Sequence, residues 1–277
     1  MKIGILTLRL FKNYGGILQN YALSRFLQKN GYDVETINIV WSYQLNGVKK
    51  YFVWLKRLVR NMLIGKWYSL DEEKILRNNE LVAAQRVNAF KEKNIPLSQK
   101  VYSLPGADFS DISNKYDTII VGSDQVWRPK YTGGIEKYFL SFADNRIKKI
   151  AYSASFGTDK NEYSFYEKWV CGKLIKRFDA ISVREESAIS LIREQLHWDV
   201  DVIQTLDPTM LLDITDYKSL VGQVVNNNKI FVYILDSSVQ KISFVEKLEK
   251  VLCMPGFTIT PKGMDNKSAY VKIGRAH

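Results

Sequence analysis

The sequence predicts an α/β protein built around a parallel sheet. Short apolar runs typical of buried strands alternate along the chain with segments of helical periodicity. Glycine and small polar residues follow several of these runs, where a strand would pass into a loop. Alternation of this kind is typical of a parallel sheet that helices cover on both faces.

The first copy of this pattern lies at the start of the chain. Residues 2–8 are a strand candidate, residues 17–30 have helical periodicity, and residues 33–39 are a second strand candidate. Gly31 stands where a glycine commonly ends a helix. This order predicts a βαβ unit.

The pattern recurs as far as residue 206. Further strands are predicted at residues 118–121, 147–153, 181–183 and 200–205, and helices at residues 161–178 and 185–195. We therefore expect an N-terminal Rossmann-like domain over residues 1–206.

A new α/β pattern follows Leu206-Asp207-Pro208. It consists of strand candidates at residues 229–235 and 257–260 with a helix candidate at residues 239–252 between them. The polar tail then ends without a closing helix or strand. We expect residues 207–277 to be the beginning of an incomplete C-terminal domain, in a chain that is a fragment of a longer protein.

Composition favours an anionic partner and a cytoplasmic location. The formal net charge of +11 attracts phosphates, acidic glycans, nucleic acid or anionic lipids without choosing among them. Residues 1–8 are too short an apolar run for a secretion signal, and no run reaches the roughly 18 residues that span a bilayer. Cys171 and Cys253 lie far apart without metal-ligand spacing, so no metal site is expected.

A basic segment lies between the second and third predicted strands. Residues 36–70 contain no acidic residue, and their lysines and arginines interleave with aromatic and aliphatic side chains. On a helix this pattern gives a basic amphipathic surface. It predicts either a helix packed on the domain with solvated lysines or peripheral contact with the inner face of the membrane.

The first candidate site motif opens the first helix. A helix start with paired glycines lets backbone approach an anion, which the free N–H groups and the helix dipole favour. The motif is neither the dinucleotide-binding G-x-G-x-x-G nor a P-loop, and a simple glycine turn is the alternative. Its candidate binding residues are Asn13, Tyr14, Gly15, Gly16 and Gln19.

The second motif follows the strand at residues 118–121. Ligands of open α/β sheets bind beyond the carboxyl ends of strands. Asp124 is a candidate base toward a sugar hydroxyl or a cap of the next turn, and Trp127 would stack on a sugar ring or pack in the core. Gly122, Ser123 and Gln125 complete the candidate loop.

Two more motifs end strands in the same way. Ser155, Phe156 and Gly157 follow one strand as candidate binding residues, and Arg184 follows the next. A guanidinium there could hold a carboxylate or phosphate in bidentate fashion. The alternative for Arg184 is an ion pair with an acid such as Glu185 or Asp179.

Together these motifs resemble the polysaccharide pyruvyl transferase family. The resemblance rests on Asn-Tyr-Gly-Gly, Gly-Ser-Asp-Gln-Val-Trp, Ser-Ala-Ser-Phe-Gly, Ser-Val-Arg-Glu-Glu-Ser and Leu-Asp-Pro-Thr, in this order, over residues 1 to about 212. It implies a glycosyltransferase-B-like pair of Rossmann domains.

The resemblance also implies a reaction. Such an enzyme moves the pyruvyl group of phosphoenolpyruvate, its donor substrate, onto two hydroxyls of a polysaccharide or of its lipid-linked precursor, with no cofactor. Arg184 matches the family's donor-side arginine, and Asp124 is the second catalytic candidate. The family's candidate acid histidine belongs to the C-terminal domain, and neither His197 nor His277 matches it, so this fragment alone is expected to be inactive.

Two other functions fit the same residues. A nucleotide-sugar glycosyltransferase could use the same architecture, because a fold does not dictate chemistry. The charge also allows a non-enzymatic module that binds a polyanion. Nucleic acid is not the expected partner, since no zinc-finger, helix-turn-helix or RNP motif accompanies the basic residues.

Overall fold

The computed structural model describes residues 1–11, 13–41, 85, 87–103, 109, 112, 114–221, 228–234 and 238–258. Its main feature is a six-stranded sheet whose strands all run parallel, which confirms the predicted α/β class with a Rossmann-like sheet. Most of the basic segment, from residue 42 onward, lies outside the described residues, as does the tail.

The strands are short and lie in three sheets. In chain order they are β1 (Lys2–Leu6), β2 (Asp33–Thr36), β3 (Ile39–Trp41), β4 (Val101–Ser103), β5 (Thr118–Val121), β6 (Lys148–Ala154), β7 (Ala180–Val183), β8 (Ile203–Gln204), β9 (Ile230–Phe231) and β10 (Gly256–Phe257). The main sheet has the order β2-β1-β5-β6-β7-β8. The order reverses between β1 and β5, because the chain first adds β2 on one side of β1 and later adds β5 on the other.

Helices connect these strands. They are α1 (Tyr14–Lys29), α2 (Pro129–Thr132), α3 (Phe165–Ile175), α4 (Glu186–Ser190), α5 (Ile214–Lys218) and α6 (Val239–Leu252), with 3-10 turns at Ile135–Phe139 and Pro208–Met210. A π-helical turn at Leu191–Gln195 continues α4. Among the described helices, none is long and apolar enough to cross a membrane.

Most predicted elements exist, and several strands are shorter than predicted: β1 ends at Leu6, β8 is Ile203–Gln204 and β9 is Ile230–Phe231. β5 and α6 have the predicted bounds. The strand predicted at residues 33–39 is wrong as a single element, because β2 ends at Thr36 and β3 pairs with β4 in a separate sheet. The Ile37 N–H still donates to the Ile5 carbonyl of β1 at 2.9 Å, whereas the Asn38 carbonyl accepts from the Val101 N–H at 2.9 Å, so the chain passes from β1 to β4 after Ile37.

An aromatic cluster anchors the loop after β5 beneath the sheet. Trp127 has no exposed surface and stacks on Phe139 with 5.0 Å between ring centroids. Phe156 and Tyr163 also pack on this cluster, and the Tyr163 hydroxyl donates to the Trp127 carbonyl. Dense aromatic packing of this kind fixes the loop through many small contacts.

The segment after β8 packs back on the first helix. Leu211 lies against the core under β1, and the Tyr217 ring lies 6.5 Å from that of Tyr21 on α1. Lys29 at the end of α1 also pairs with Asp216 at 2.9 Å. The start of the proposed C-terminal domain is thus attached to α1, and a boundary at residue 206 stays a prediction.

Ion pairs of Glu162, in the loop before α3, make the stability of the fold depend on pH. Arg128 donates two hydrogen bonds to Glu162, at 2.9 and 3.0 Å, and Lys130 donates a third at 2.9 Å. These partners lower the pKa of Glu162 from its ordinary value of 4.5 to about 2. A depressed carboxyl pKa contributes stability that is complete above the ordinary value and is lost as the pH falls toward 2.

We therefore expect Glu162→Gln to be less stable than the parent chain at neutral pH, with a difference that shrinks as the pH falls from 4.5 toward 2. Urea denaturation at a series of pH values measures this difference. Glu194→Gln, a change at an exposed glutamate, is the control and should differ little from the parent. A difference for Glu162→Gln that is independent of pH would contradict the ion-pair account.

Candidate active site

The candidate site lies at the carboxyl edge of the sheet, where the strand order reverses. Loops that leave neighbouring strands on opposite faces of an open sheet leave a crevice between them, which is where such folds bind ligands. Here the crevice lies between the loop that follows β1 and the loop that follows β5. Both loops carry predicted site motifs.

The start of α1 forms one wall of the crevice. Asn13 is the N-cap, and its Oδ1 accepts a hydrogen bond from the Gly16 N–H at 3.1 Å. Tyr14 and Gly15 are exposed in the first turn, which contains no acidic side chain. The helix begins three residues earlier than predicted, so the whole motif belongs to a helix N-terminus, which favours anions.

Gly16 allows α1 to approach the loop after β5. A Cβ atom at this position would lie 2.8 Å from Oδ2 of Asp124, closer than side chains normally pack. The Asp124 carboxylate therefore sits directly beside the first turn of the helix. Its Oδ1 accepts a hydrogen bond from the N–H of the next residue, Gln125, at 2.8 Å, whereas a capping side chain accepts from a residue two or three positions later.

Partial burial makes Asp124 an unusual carboxyl group. Loss of solvent raises its pKa above the ordinary value, and the nearby charge of Asp207 raises it further. The Gln125 hydrogen bond and the charge of Arg184 act in the opposite direction without cancelling the rise. A carboxylate with a raised pKa is a stronger base, which suits proton transfer near neutral pH.

Gln19 joins the two loops and does not line the crevice. Its side chain is buried, and its Nε2 donates to the Gly16 carbonyl at 2.9 Å and to Oγ1 of Thr7 at 3.3 Å. Its Oε1 accepts from the Ser123 N–H at 3.3 Å. Gln19 thus positions the two loops relative to each other. Gly122, the residue before Ser123 in the sequence, is also buried.

Arg184 connects the ends of three strands. Its guanidinium donates to the Ser123 carbonyl after β5 at 2.9 Å and to Oγ of Ser155 after β6 at 3.3 Å. It also pairs with Glu185 at 2.9 Å and with Asp207 at 3.5 Å. About a third of the side chain, 32%, is exposed. The ion pair with Glu185 anticipated from the sequence therefore exists, in a side chain that keeps about a third of its surface exposed.

Asp207 is a residue of this cluster that the sequence-based list of site residues missed. Its Oδ2 accepts from Oγ of Ser123 at 3.0 Å and from Arg184, while its Oδ1 accepts from the N–H and hydroxyl of Thr209. The Leu-Asp-Pro-Thr motif could have identified Asp207 as a site residue, because it places an acidic side chain just after a predicted strand.

An irregularity in β6 brings Ser155 to the site. The β6–β7 register shifts between Ala151 and Ala154, and the buried Ser153 has a positive φ of 52°. The Ser153 N–H donates to Oγ of Ser182 at 2.8 Å, which holds this costly conformation. After the shift, Ser155 donates to Glu185 at 2.8 Å and accepts from Arg184.

Other predicted binding residues serve the fold. Trp127 and Phe156 lie in the aromatic cluster with almost no exposed surface, which supports the core alternative for Trp127 over sugar stacking. Gly157 has a φ of 62°, and a Cβ there would overlap the side chain of Gln125. Gln125 itself accepts a hydrogen bond from Arg128 at 3.1 Å. These residues shape the outer side of the loop.

Fold and site together define a class of protein. It is a Rossmann-like α/β protein whose crevice sets an arginine and a carboxyl group with a raised pKa beside a helix N-terminus. His197 is exposed on the surface, and in the described part of the chain no group of three or more His, Cys, Asp or Glu side chains is arranged to hold a metal.

The family follows from sequence comparison. The family model for polysaccharide pyruvyl transferase matches residues 13–254, so the chain belongs to the polysaccharide pyruvyl transferase family. The match continues past residue 212, where the motif resemblance ended, and includes β9, α6 and most of the segment leading to β10. A search of curated proteins finds no match to the chain.

The contact between Gly16 and Asp124 gives a mutational prediction. We expect Gly16→Ala to lower the free energy of unfolding by about 1–3 kcal/mol, because its Cβ would displace the carboxylate or the helix. In Gly15→Ala the added atom meets only Oδ1 of Asn13, at 3.4 Å, so stability should stay the same or rise by up to about 1 kcal/mol through helix propensity. Urea denaturation of both variants measures the contrast, and equal effects would contradict the close approach.

Proposed function

We propose that this crevice transfers the pyruvyl group of phosphoenolpyruvate to a pair of hydroxyls on a polysaccharide or its lipid-linked precursor, which forms a pyruvate ketal and releases phosphate. The observation that carries the proposal is the partly exposed Arg184 side chain at the strand ends, near Asp124, in a chain of this family. No cofactor enters the proposed reaction.

The donor would bind through its negative charges. Arg184 would hold the carboxylate or phosphate of phosphoenolpyruvate, since a guanidinium matches either group with two parallel hydrogen bonds. The exposed first turn of α1, at Asn13, Tyr14 and Gly15, would face the other anionic group with its N–H groups. Binding requires exchange, because Glu185 already occupies one edge of the guanidinium.

Asp124 would act on the acceptor. Protonation of the donor's methylene carbon leaves an oxocarbenium-like centre at C2, and a sugar hydroxyl adds there while its proton passes to the Asp124 carboxylate. The second hydroxyl then attacks the same carbon as the bond to the phosphate oxygen breaks, and phosphate leaves with the electron pair and takes up the proton of this hydroxyl. The raised pKa of Asp124 strengthens it as the base in these steps.

The proposal extends to architecture and place in the cell. β9 and β10 form a parallel pair connected by α6, which supports a second α/β unit and hence a glycosyltransferase-B-like arrangement with residues 207–277 in the C-terminal domain. Phosphoenolpyruvate is a cytoplasmic metabolite in this scheme, so the enzyme would work in the cytoplasm and meet lipid-linked acceptors at the inner face of the membrane.

Calorimetry with phosphoenolpyruvate tests the donor assignment. We expect the parent chain to bind it and Arg184→Ala to lose at least about tenfold in affinity, because a charge-assisted pair is removed. Arg128→Ala is the matched control: Arg128 lies in the same loop region but pairs with Glu162, so affinity should be retained. A nucleotide sugar is titrated in parallel.

The two ligands separate the proposed function from its alternative. Binding of phosphoenolpyruvate that depends on Arg184 supports pyruvyl transfer. Binding of the nucleotide sugar without phosphoenolpyruvate would reject it in favour of glycosyl transfer on the same fold.

Asp124→Asn tests the base. In a form of the protein that releases phosphate in the presence of acceptor, we expect this change to lower the rate at least about a hundredfold, the usual contribution of a general base, while phosphoenolpyruvate affinity is kept. In the parent enzyme the rate should rise with pH through the raised pKa of Asp124, as the carboxyl loses its proton. Asn at this position should remove that rise, and an unchanged pH profile would contradict the role.

A further inference from the structure

Helix α3 carries aromatic side chains on its solvent face. Phe165 is 89% exposed, Tyr166 70% and Trp169 54%. The outer face of a surface helix is normally polar, because only its inner stripe needs to be apolar. Three large exposed aromatics close together therefore mark a contact surface rather than ordinary surface variation.

The inner side of α3 is fixed, so these residues cannot turn inward. Cys171 and Ile175 are fully buried against the sheet. The Trp198 indole donates to the Lys168 carbonyl at 3.1 Å, which holds the middle of the helix. At the start, Ser164 and Glu167 form a reciprocal capping box. The rotation of the helix is thus set from its first turn to its last.

Lysines complete the outer face. At 100° per residue, Phe165, Tyr166, Trp169, Lys173 and Lys176 fall within an arc of about 100°. Both lysines are exposed, and Nζ of Lys173 lies 3.7 Å from the centroid of the Trp169 ring. This aromatic–lysine face contains no acidic side chain.

The first turn of this face lies at the same edge of the sheet as the crevice. β6 runs toward the carboxyl edge of the sheet, and the chain passes Ser155 before α3 returns in the opposite direction. The aromatic first turn of α3 is therefore at the carboxyl edge. The Arg128–Glu162 ion pair ties the loop before α3 to the loop after β5.

We infer that the aromatic–lysine face of α3 docks on an anionic lipid surface. Aromatic rings favour the interfacial region of a bilayer, and lysines beside them attract anionic headgroups. This docking holds the carboxyl edge of the sheet beside the membrane surface whatever reaction takes place there, so the inference does not rest on the proposed pyruvyl transfer. It also involves a surface different from the basic segment at residues 36–70.

Charge disfavours the two competing occupants. A symmetric contact with a second copy of the chain would bring together two faces that each carry lysines and no acidic side chain. A neutral saccharide would leave both lysines without an anionic partner. An anionic bilayer satisfies both the rings and the lysines.

Vesicle sedimentation tests the inference. The full chain is mixed with vesicles of phosphatidylcholine alone or of phosphatidylcholine with phosphatidylglycerol. We expect binding to the anionic vesicles, and a loss of at least about tenfold in partitioning for the combined variant Phe165→Ser and Trp169→Ser. Because Phe165 is 89% and Trp169 54% exposed, the variant should stay folded, which its circular dichroism spectrum checks.

Further variants separate the contribution of the α3 rings to vesicle binding from that of its lysines and from that of exposed rings elsewhere. Phe244→Ser removes a ring that is 62% exposed on α6 and should leave vesicle binding intact. Lys173→Gln and Lys176→Gln should each weaken binding to anionic vesicles about fivefold and leave neutral vesicles unaffected. Residues 36–70 are present in every variant, so their contribution cancels in the comparison.

The other outcomes overturn the inference. Absence of vesicle binding by the parent chain, or equal binding by the parent and the α3 variant, would exclude docking through this face. Concentration-dependent dimerisation in sedimentation velocity that disappears in the α3 variant would assign the face to a second copy instead.

Discussion

The carboxyl edge of the sheet depends on one guanidinium. Arg184 reaches from the end of β7 to the carbonyl of Ser123 after β5 and to the hydroxyl of Ser155 after β6. Asp207, which follows β8, accepts from both Arg184 and the Ser123 hydroxyl. Ser123 is fully buried. Removal of the Arg184 guanidinium would therefore leave the Ser123 carbonyl without this hydrogen bond, which costs more free energy of unfolding than the loss of a surface ion pair.

The same side chain is the best anion ligand of the crevice, and this dual role constrains binding. Three carboxylates surround it: Glu185 and Asp207 pair with it directly, and Asp124 feels its charge. An incoming carboxylate or phosphate must therefore replace a protein acid rather than fill an unpaired site. Such exchange favours ligands that present two anionic groups, because the start of α1 can receive the second.

Apolar runs and helix caps made much of the fold predictable, whereas contacts between distant segments did not. β5 is a continuous apolar run followed by glycine, and Ser238 caps α6, so both elements had the predicted bounds. The sequence could not decide whether Trp127 faced a ligand or the core. Nor could it place Gly16 against Asp124, since that approach depends on strand order, or choose which face of α3 turns outward.

The affinity of Glu185→Gln for phosphoenolpyruvate tests most directly whether Arg184 is an anion ligand held by competing acids. Neutralising this neighbour removes the competitor while the guanidinium stays in place. The account predicts affinity about fivefold or more above that of the parent chain, since two unit charges about 4 Å apart in water interact by about 1 kcal/mol. Unchanged or weaker binding would contradict it, because Arg184 would then serve only to connect the strand ends.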